Sequence, residues 1–502
     1  MTLKTRHHPC ARQTPRYLAV FALLAALGWS AVLPAQTTPH YQKDFPPGEF
    51  KARWEKIFDR IGSNAVAIVQ GMPQVSGFIF PRQNNEFYYL CGIETPHSYL
   101  LLDGQSRKVT LYLPPRNERL ERAEGRVLSA DDAELVKQLT GVDKVFSAAK
   151  MTEDQMPEVQ SAKTIYTLFS PAEGYAESRV ELRAANNAIR SDYWDGRSTR
   201  EENLVVLLIK RFPQAEVNDL TPILDALRAV KSPREIALIR RASQLAGLGL
   251  IEAIKSTRPG VYEYQLDAAA RYVFLVNGAR LDGYRSITAS GTDNINNMHY
   301  YRNNAQLKSG DLVLMDYAPD YGCYVSDIAR VWPVNGKYNA WQRELLQFVL
   351  EYHKAVLARI RPGVTPRQIM DEARVAMEPV FAKTKFSKPI YEKAARNLVE
   401  RGGGVFSHPV GMAVHDDGEY TRRGGVDPLK PGHVFAVDPQ LRVPEENLYL
   451  RYEDVVVVTE TGVENFTEFL PRELKDIENL VGKGGVVQKL PPVSEPELKR
   501  RK

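Results

Sequence analysis

The stretch LVLMDYAPDYGCYVSDIARVWPV carries Asp316 and Asp327 on what alternation and a central glycine predict to be the two arms of one β-hairpin. With the turn at Tyr321-Gly322, the two carboxylates stand directly opposite on one face, their Cβ atoms about 5 Å apart. Like charges so placed destabilise a sheet, and burying them costs several kcal/mol per ion unless a cation compensates. A divalent metal is the simplest compensation.

The stretch HVFAVDPQLRVPEENLYLRYEDVVVV repeats the geometry as strand, turn at Glu445-Glu446 and strand, in a register that sets Asp438 against Glu453. Arg451 precedes Glu453 by two residues and so shares its face, where a guanidinium can orient the carboxylate. His408, in SHPVGMAVHD, adds the one nitrogen donor. The expected metal ligands are therefore Asp316, Asp327, His408, Asp438 and Glu453. A set rich in oxygen with one imidazole favours a hard ion such as Mn2+, with Zn2+, Co2+ and Fe2+ left open.

The blocks NMHYYRNN, LMDYAPDYGCYVSDIARVWPVNGKY, SHPVGMAVHD and RYED follow one another in the order and spacing of metallopeptidase family M24, of the creatinase or pita-bread fold. The chain resembles its aminopeptidase P branch over roughly residues 45 to 480. FPRQNNEFYYLCGIE resembles a block of that branch's N-terminal domain, which methionine aminopeptidases lack. The resemblance implies an α/β N-terminal domain over residues 45–225 and an α+β pita-bread catalytic domain over residues 230–480. It implies two divalent metal ions, with Asp327 and Glu453 bridging them, Asp316 completing one site and His408 with Asp438 the other. His299, 17 residues before Asp316, matches the family histidine of proton transfer or tetrahedral-intermediate stabilisation. His415, seven after His408, matches a substrate-contacting histidine, and Asp438 stands at the family's candidate general base.

The substrate so implied is a peptide with proline at position two. Proline has a fixed φ and no N–H, so a dedicated pocket is expected. Three departures keep other readings open. The chain has Asp438-Pro439-Gln440 where the family usually has Glu-Pro-Gly, Gly404 where it commonly has another histidine, and Ala329 where it usually has threonine. Loss of such an outer-layer group typically costs 10–100-fold in metal affinity or activity. The alternatives are a prolidase-like dipeptidase and a catalytically impaired pita-bread protein that binds peptides without cleaving them.

Charge does not point to nucleic acid, although the formal net charge is +5. Residues 1–35 hold Lys4, Arg6, Arg12 and Arg16 and no acid, and without them 62 basic residues face 61 acidic ones. The segment from Val481 to Lys502 holds six basic and two acidic residues, so residues 483–502 read as a basic flexible tail. Residues 1–35 read as a signal peptide: a basic start, the run LAVFALLAALGWSAVLP, and a small residue at Ala35. Export to the periplasm or the extracellular space is expected, with no stable membrane insertion after cleavage. An uncleaved anchor is the alternative, because Leu33 is a poor −3 residue. Homo-oligomer formation is compatible with all of this. Cys91 and Cys323 remain after loss of Cys10, too few for a disulfide framework, and are expected as unpaired core residues.

A boundary near residue 230 is marked by Ser232 as N-cap, Pro233 at the first helical position and Glu235 three after the cap. Gly402, Gly403 and Gly404 lack the spacing and lysine of a phosphate-binding loop, and are expected to form a flexible approach to the site.

Overall fold

A computed structural model describes residues 39–73, 77, 82–174, 178–406, 408–416 and 426–493. The expected signal peptide and the last nine residues of the tail lie outside them. No helix among the described residues is long and apolar enough to cross a membrane.

The N-terminal half is built on a six-stranded sheet of β1 (Ala65–Gln70), β2 (Tyr99–Asp103), β3 (Lys108–Leu113), β4 (Lys144–Ser147), β5 (Thr164–Thr167) and β6 (Glu216–Asp219). The order is β4-β3-β2-β1-β5-β6, with β1, β2 and β3 antiparallel and the remaining pairings parallel. Alternation sorts the central strand onto two cores: Ala65, Ala67 and Val69 join the main cluster, Val66 and Ile68 the cluster beneath Leu208 and Phe212. The helix Pro47–Ile61 covers the first face through Phe50, Trp54, Ile57, Phe58 and Ile61, a stripe at helical spacing.

The second half opens on the helix Pro233–Ser256, with the Ser232–Glu235 capping box formed and Pro233 at the first position. Its strands are β7 (Leu281–Asp282), β8 (Ile287–Ser290), β9 (Leu312–Asp316), β10 (Pro319–Asp320), β11 (Ala329–Pro333), β12 (Val434–Val437), β13 (Gln440–Val443), β14 (Leu448–Arg451), β15 (Asp454–Val458) and β16 (Val463–Asn465). β8, β9 and β11 form one antiparallel sheet, β12, β15 and β16 a second, and β13–β14 a ribbon between them. An antiparallel bridge between Ala329 and Glu453 joins the two hairpin systems. The helices Ala340–Leu357 and Pro389–Arg401 pack against β13 and β14.

The first hairpin departs from the expected register. Tyr321 pairs with Tyr324, so the turn is Gly322-Cys323, and Asp316 faces Ala329 rather than Asp327. Both turn residues have positive φ, 64° and 66°, the backbone of the turn type that matches strand twist. The shift is two residues, so Asp327 stays on the face of Asp316 as its diagonal neighbour. The second hairpin keeps the expected register: the pairs Val437–Asp454 and Gln440–Arg451 flank Asp438 and Glu453 and set them opposite each other. Its loop is longer than a tight turn, with a short 3-10 segment at Pro444–Glu446 and Asn447 at φ 51°. Cys91 and Cys323 are buried and unpaired.

A seam of buried charge welds the halves. Arg228 donates to Glu173 at 2.7 Å and to Asp416 at 2.5 Å, Lys231 lies 3.0 Å from Asp416, and Arg82 donates to Asp320 at 2.7 Å. Burying such groups is expensive unless they pair, so the seam is stable only with both halves docked.

Candidate metal centre

The Ala329–Glu453 bridge fixes the centre. It lays the backbone of one hairpin against that of the other through mutual N–H to C=O bonds of 3.3 and 3.2 Å. Arg330 reinforces the contact by donating to the Glu453 carbonyl at 2.7 Å and to the Asp454 carboxylate at 2.7 Å. Glu453 is thereby inserted beside the diagonal pair, and one oxygen each from Asp316, Asp327 and Glu453 lie within 4.8 Å of one another. All three side chains are buried.

His408 and Asp438 approach from the other side. His408 Nε2 lies 3.2 Å from Asp327 Oδ2, and the loop bearing it is pinned to β12 by the bond from the Ala436 N–H to the His408 carbonyl. Burial lowers the His408 pKa, which keeps the imidazole neutral as a ligand requires. Asp438 Oδ2 accepts from Gln440 Nε2 at 2.5 Å and from Arg451 Nη1 at 3.4 Å. Arg451 also pairs with Asp316 and lies 3.9 Å from Glu453. Its main partners are thus Asp316 and Asp438, where the pattern of alternation had pointed to Glu453.

Two observations call for a cation. Burial, and then the charge of Glu453, push the carboxyls of Asp327 and Asp438 well above the usual carboxylate range. Asp438 Oδ1 and Glu453 Oε2 are buried without a hydrogen-bond partner among the described residues. Such atoms carry a heavy desolvation penalty unless something positive faces them. The donor set therefore fits divalent ions, and the residues that would hold them are Asp316, Asp327, His408, Asp438 and Glu453.

Asp316, Asp327, His408 and Asp438 line a cavity of about 400 Å³, and Glu453 lies buried behind them. His299 also lines it; partial desolvation of the ring and then the charge of His415 lower its pKa. The ring of His415 stands 4.4 Å from that of His408 and 6.3 Å from that of His299. Residues 237–460 match the model of metallopeptidase family M24, and residues 50–169 that of the aminopeptidase P N-terminal domain. The chain is 30% identical over 455 residues to the Xaa-Pro aminopeptidase of Escherichia coli, covering 86% of this chain and 97% of that one.

The chain belongs to metallopeptidase family M24. Its fold matches the solved aminopeptidase P from E. coli with the inhibitor Pro-Leu, at TM-score 0.70 and 26% identity over 87% of this chain and 98% of that one. A zinc-substituted E. coli aminopeptidase P in complex with product matches at TM-score 0.69 and 27% identity, again over 87% and 98%. As an M24 metallopeptidase the chain is a hydrolase that depends on divalent metal.

Several residues of this M24 site were missed in sequence. The Tyr284 hydroxyl lies against Asp316 Oδ1 and donates to Asp327 Oδ1 at 3.0 Å, clasping the diagonal pair. Gln440 holds Asp438, and Gly404 proves to be close-packed rather than a flexible approach. At φ 76°, a side chain there would run into the Asp438 carbonyl and meet Gln440 Cγ at 2.7 Å. Gly402 likewise has a structural task, closing the helix Pro389–Arg401 in the left-handed conformation. Ser178 and Glu181, from the N-terminal half, line the same cavity. A serine just before a helix and a glutamate in its first turn read locally as capping residues, so no local signal marks them for a site more than 200 residues away.

Proposed function

We propose that this chain is an exported, dinuclear metalloaminopeptidase that hydrolyses the N-terminal Xaa-Pro bond, with Mn2+ as its resident ion. The single observation that carries the dinuclear reading is the convergence of Asp327 and Glu453, from different hairpins, with Asp316 on one flank and His408 and Asp438 on the other. The relative's name, Xaa-Pro aminopeptidase, supports the substrate class, and the oxygen-rich donor set supports Mn2+. The basic and apolar composition of residues 1–35 supports export to the periplasm or the extracellular space.

When bound, a pair of divalent ions supplies an acidified water and Lewis acidity toward the scissile carbonyl. The chain's own residues do the rest. Asp316, at the cavity wall, offers a carboxylate near which the free amine of a peptide can sit, which confines cleavage to the first bond. Asp438 stands where the family has its candidate general base and can receive and return a proton. His299 is held neutral at neutral pH and can donate a hydrogen bond to the developing oxyanion. Proline after the scissile bond has no N–H to place, so this wall needs a shaped pocket and not a backbone ladder.

The test is metal content by elemental analysis together with turnover of a small panel of Xaa-Pro peptides. Expected are about two ions per chain after Mn2+ reconstitution, cleavage of Xaa-Pro-Xaa tripeptides, and loss of activity on chelation. A folded protein that retains no metal refutes the reading in favour of a peptide-binding protein. Cleavage confined to Xaa-Pro dipeptides would favour a dipeptidase instead.

A further inference from the structure

The helix Arg179–Ser191 is preceded by Ser178 and carries Glu181 three residues on, the spacing of a capping box. Ser178 sits at the N-cap with extended backbone, yet its side chain makes no capping hydrogen bond. Leaving a cap unmade forgoes about 1 kcal/mol of helix stability. Both side chains are engaged elsewhere: the His415 N–H donates to Ser178 Oγ at 3.1 Å, and His415 Nδ1 lies 2.8 Å from Glu181 Oε1.

The contact is braced from behind. Arg179, buried two residues before Glu181, pairs with Glu86 at 2.9 Å. Arg228 lies 3.4 Å from that same Glu86 oxygen and reaches Asp416, the residue after His415, at 2.5 Å. The links close a ring that runs from Glu181 through Arg179, Glu86, Arg228 and Asp416 to His415. Both partners of the Glu181–His415 contact are thus anchored in one buried framework, and their separation is set by it. Glu181 is half exposed, so the carboxylate acts chiefly by holding the ring in place and only weakly through its charge. Hydrogen bonding at one ring nitrogen decides which tautomer a histidine adopts and what its other nitrogen presents.

We propose that Glu181, supplied by the N-terminal half, is a positioning residue for His415: it accepts a hydrogen bond from Nδ1–H, holds the ring in that tautomer, and so presents an unprotonated Nε2 to the bound peptide. This rests on the aminopeptidase reading above. The test compares E181A and E181Q with V180A, a change at a half-exposed neighbour on the same turn. Turnover of an Xaa-Pro peptide is read as kcat and KM separately. The tautomer of His415 is read in metal-free protein by 15N NMR of labelled histidine, assigned with H415Q.

Expected for E181A is a fall in kcat of about 10–100-fold, the usual effect of removing the partner of a site histidine, with KM little changed. Its His415 signal should move from the Nδ1–H toward the Nε2–H form. E181Q, which keeps an acceptor oxygen, should recover much of the kcat and the parental tautomer, and V180A should match the parent in both. Parental kcat in E181A, or an unchanged tautomer in both Glu181 variants, overturns the proposal. A tautomer shift in a protein that cleaves no Xaa-Pro peptide supports the positioning role while refuting the functional reading.

Discussion

Two hairpins meet at the metal centre, and they reach it by different means. β9 and β11 turn through Gly322 and Cys323, two residues at positive φ that leave the backbone one tight solution. The second system turns through Pro444–Glu446 and Asn447 and breaks its ladder around Asp438 and Glu453, between the ribbon β13–β14 and the pair β12–β15. The tight hairpin sets its acids diagonally, which leaves between them the space that Glu453 enters from the other hairpin. The looser one sets its acids opposite each other, but at an interruption where the strands need not keep ladder spacing. Neither hairpin assembles the site alone. The acids converge because Ala329 and Glu453 pair their backbones across the gap.

The largest effect expected of this arrangement is symmetry between the two systems. Asp327→Ala and Glu453→Ala should each bring Xaa-Pro turnover to background and lower the bound metal from about two ions to one or none. Elemental analysis and kinetics of the two proteins check this. Retained turnover in either one would break the claim that the hairpins contribute as equals.

Asp438→Glu probes the looser system. Asp438 Oδ2 is already held by Gln440 and Arg451 in a buried setting, so an extra methylene has to displace those contacts. Overpacking of this kind costs about 1–3 kcal/mol. We expect turnover and Mn2+ affinity to fall together by roughly tenfold or more, on the scale of 1.4 kcal/mol per decade. A gain in either would mean that the shorter acid is a deficit which this pocket has not absorbed.

The smallest effect belongs to the tight turn itself. Gly322→Ala places a Cβ at φ 64°, with Leu238 Cδ2 at 3.2 Å, and should cost about 1–2 kcal/mol. Thermal melting reads the loss. A register slip would also appear as lost metal affinity, whereas strain confined to the turn would lower the melting point alone.

Much of this architecture was legible in the chain. The Ser232 capping box and Pro233 marked the start of the long helix because caps act locally. The second hairpin's register followed from its turn residues and from the parity of its acids. The first hairpin misled by two residues because a single glycine signals a turn without saying which central position it takes. Here Gly322 is the first of the two, and Cys323, an uncommon residue at positive φ, is the second. Parity survived the slip, and so did the face on which the acids lie. Arg451 was placed on the correct face but its strongest partners, Asp316 and Asp438, come from strand packing that alternation does not encode. Gln440, Tyr284 and Glu181 were invisible for a related reason. Tyr284 and Glu181 act on residues that only tertiary structure brings near, and Gln440, although two residues from Asp438, reaches it only because the ladder breaks there.

The buried charges between the halves carry a consequence for how the protein can come into being. Arg228, buried to 1% exposure, serves Glu86 and Glu173 of one half and Asp416 of the other, while Lys231 serves Asp416. A half-formed molecule holding any of these without its partners meets a penalty of roughly 3–5 kcal/mol for a broken buried pair. That is a sizeable share of the roughly 5–15 kcal/mol that holds a typical domain folded. The seam therefore couples the two halves in assembly: a chain with one half misfolded leaves Asp416, next to His415, without its buried cations, and the loop that carries the histidine loses its anchor.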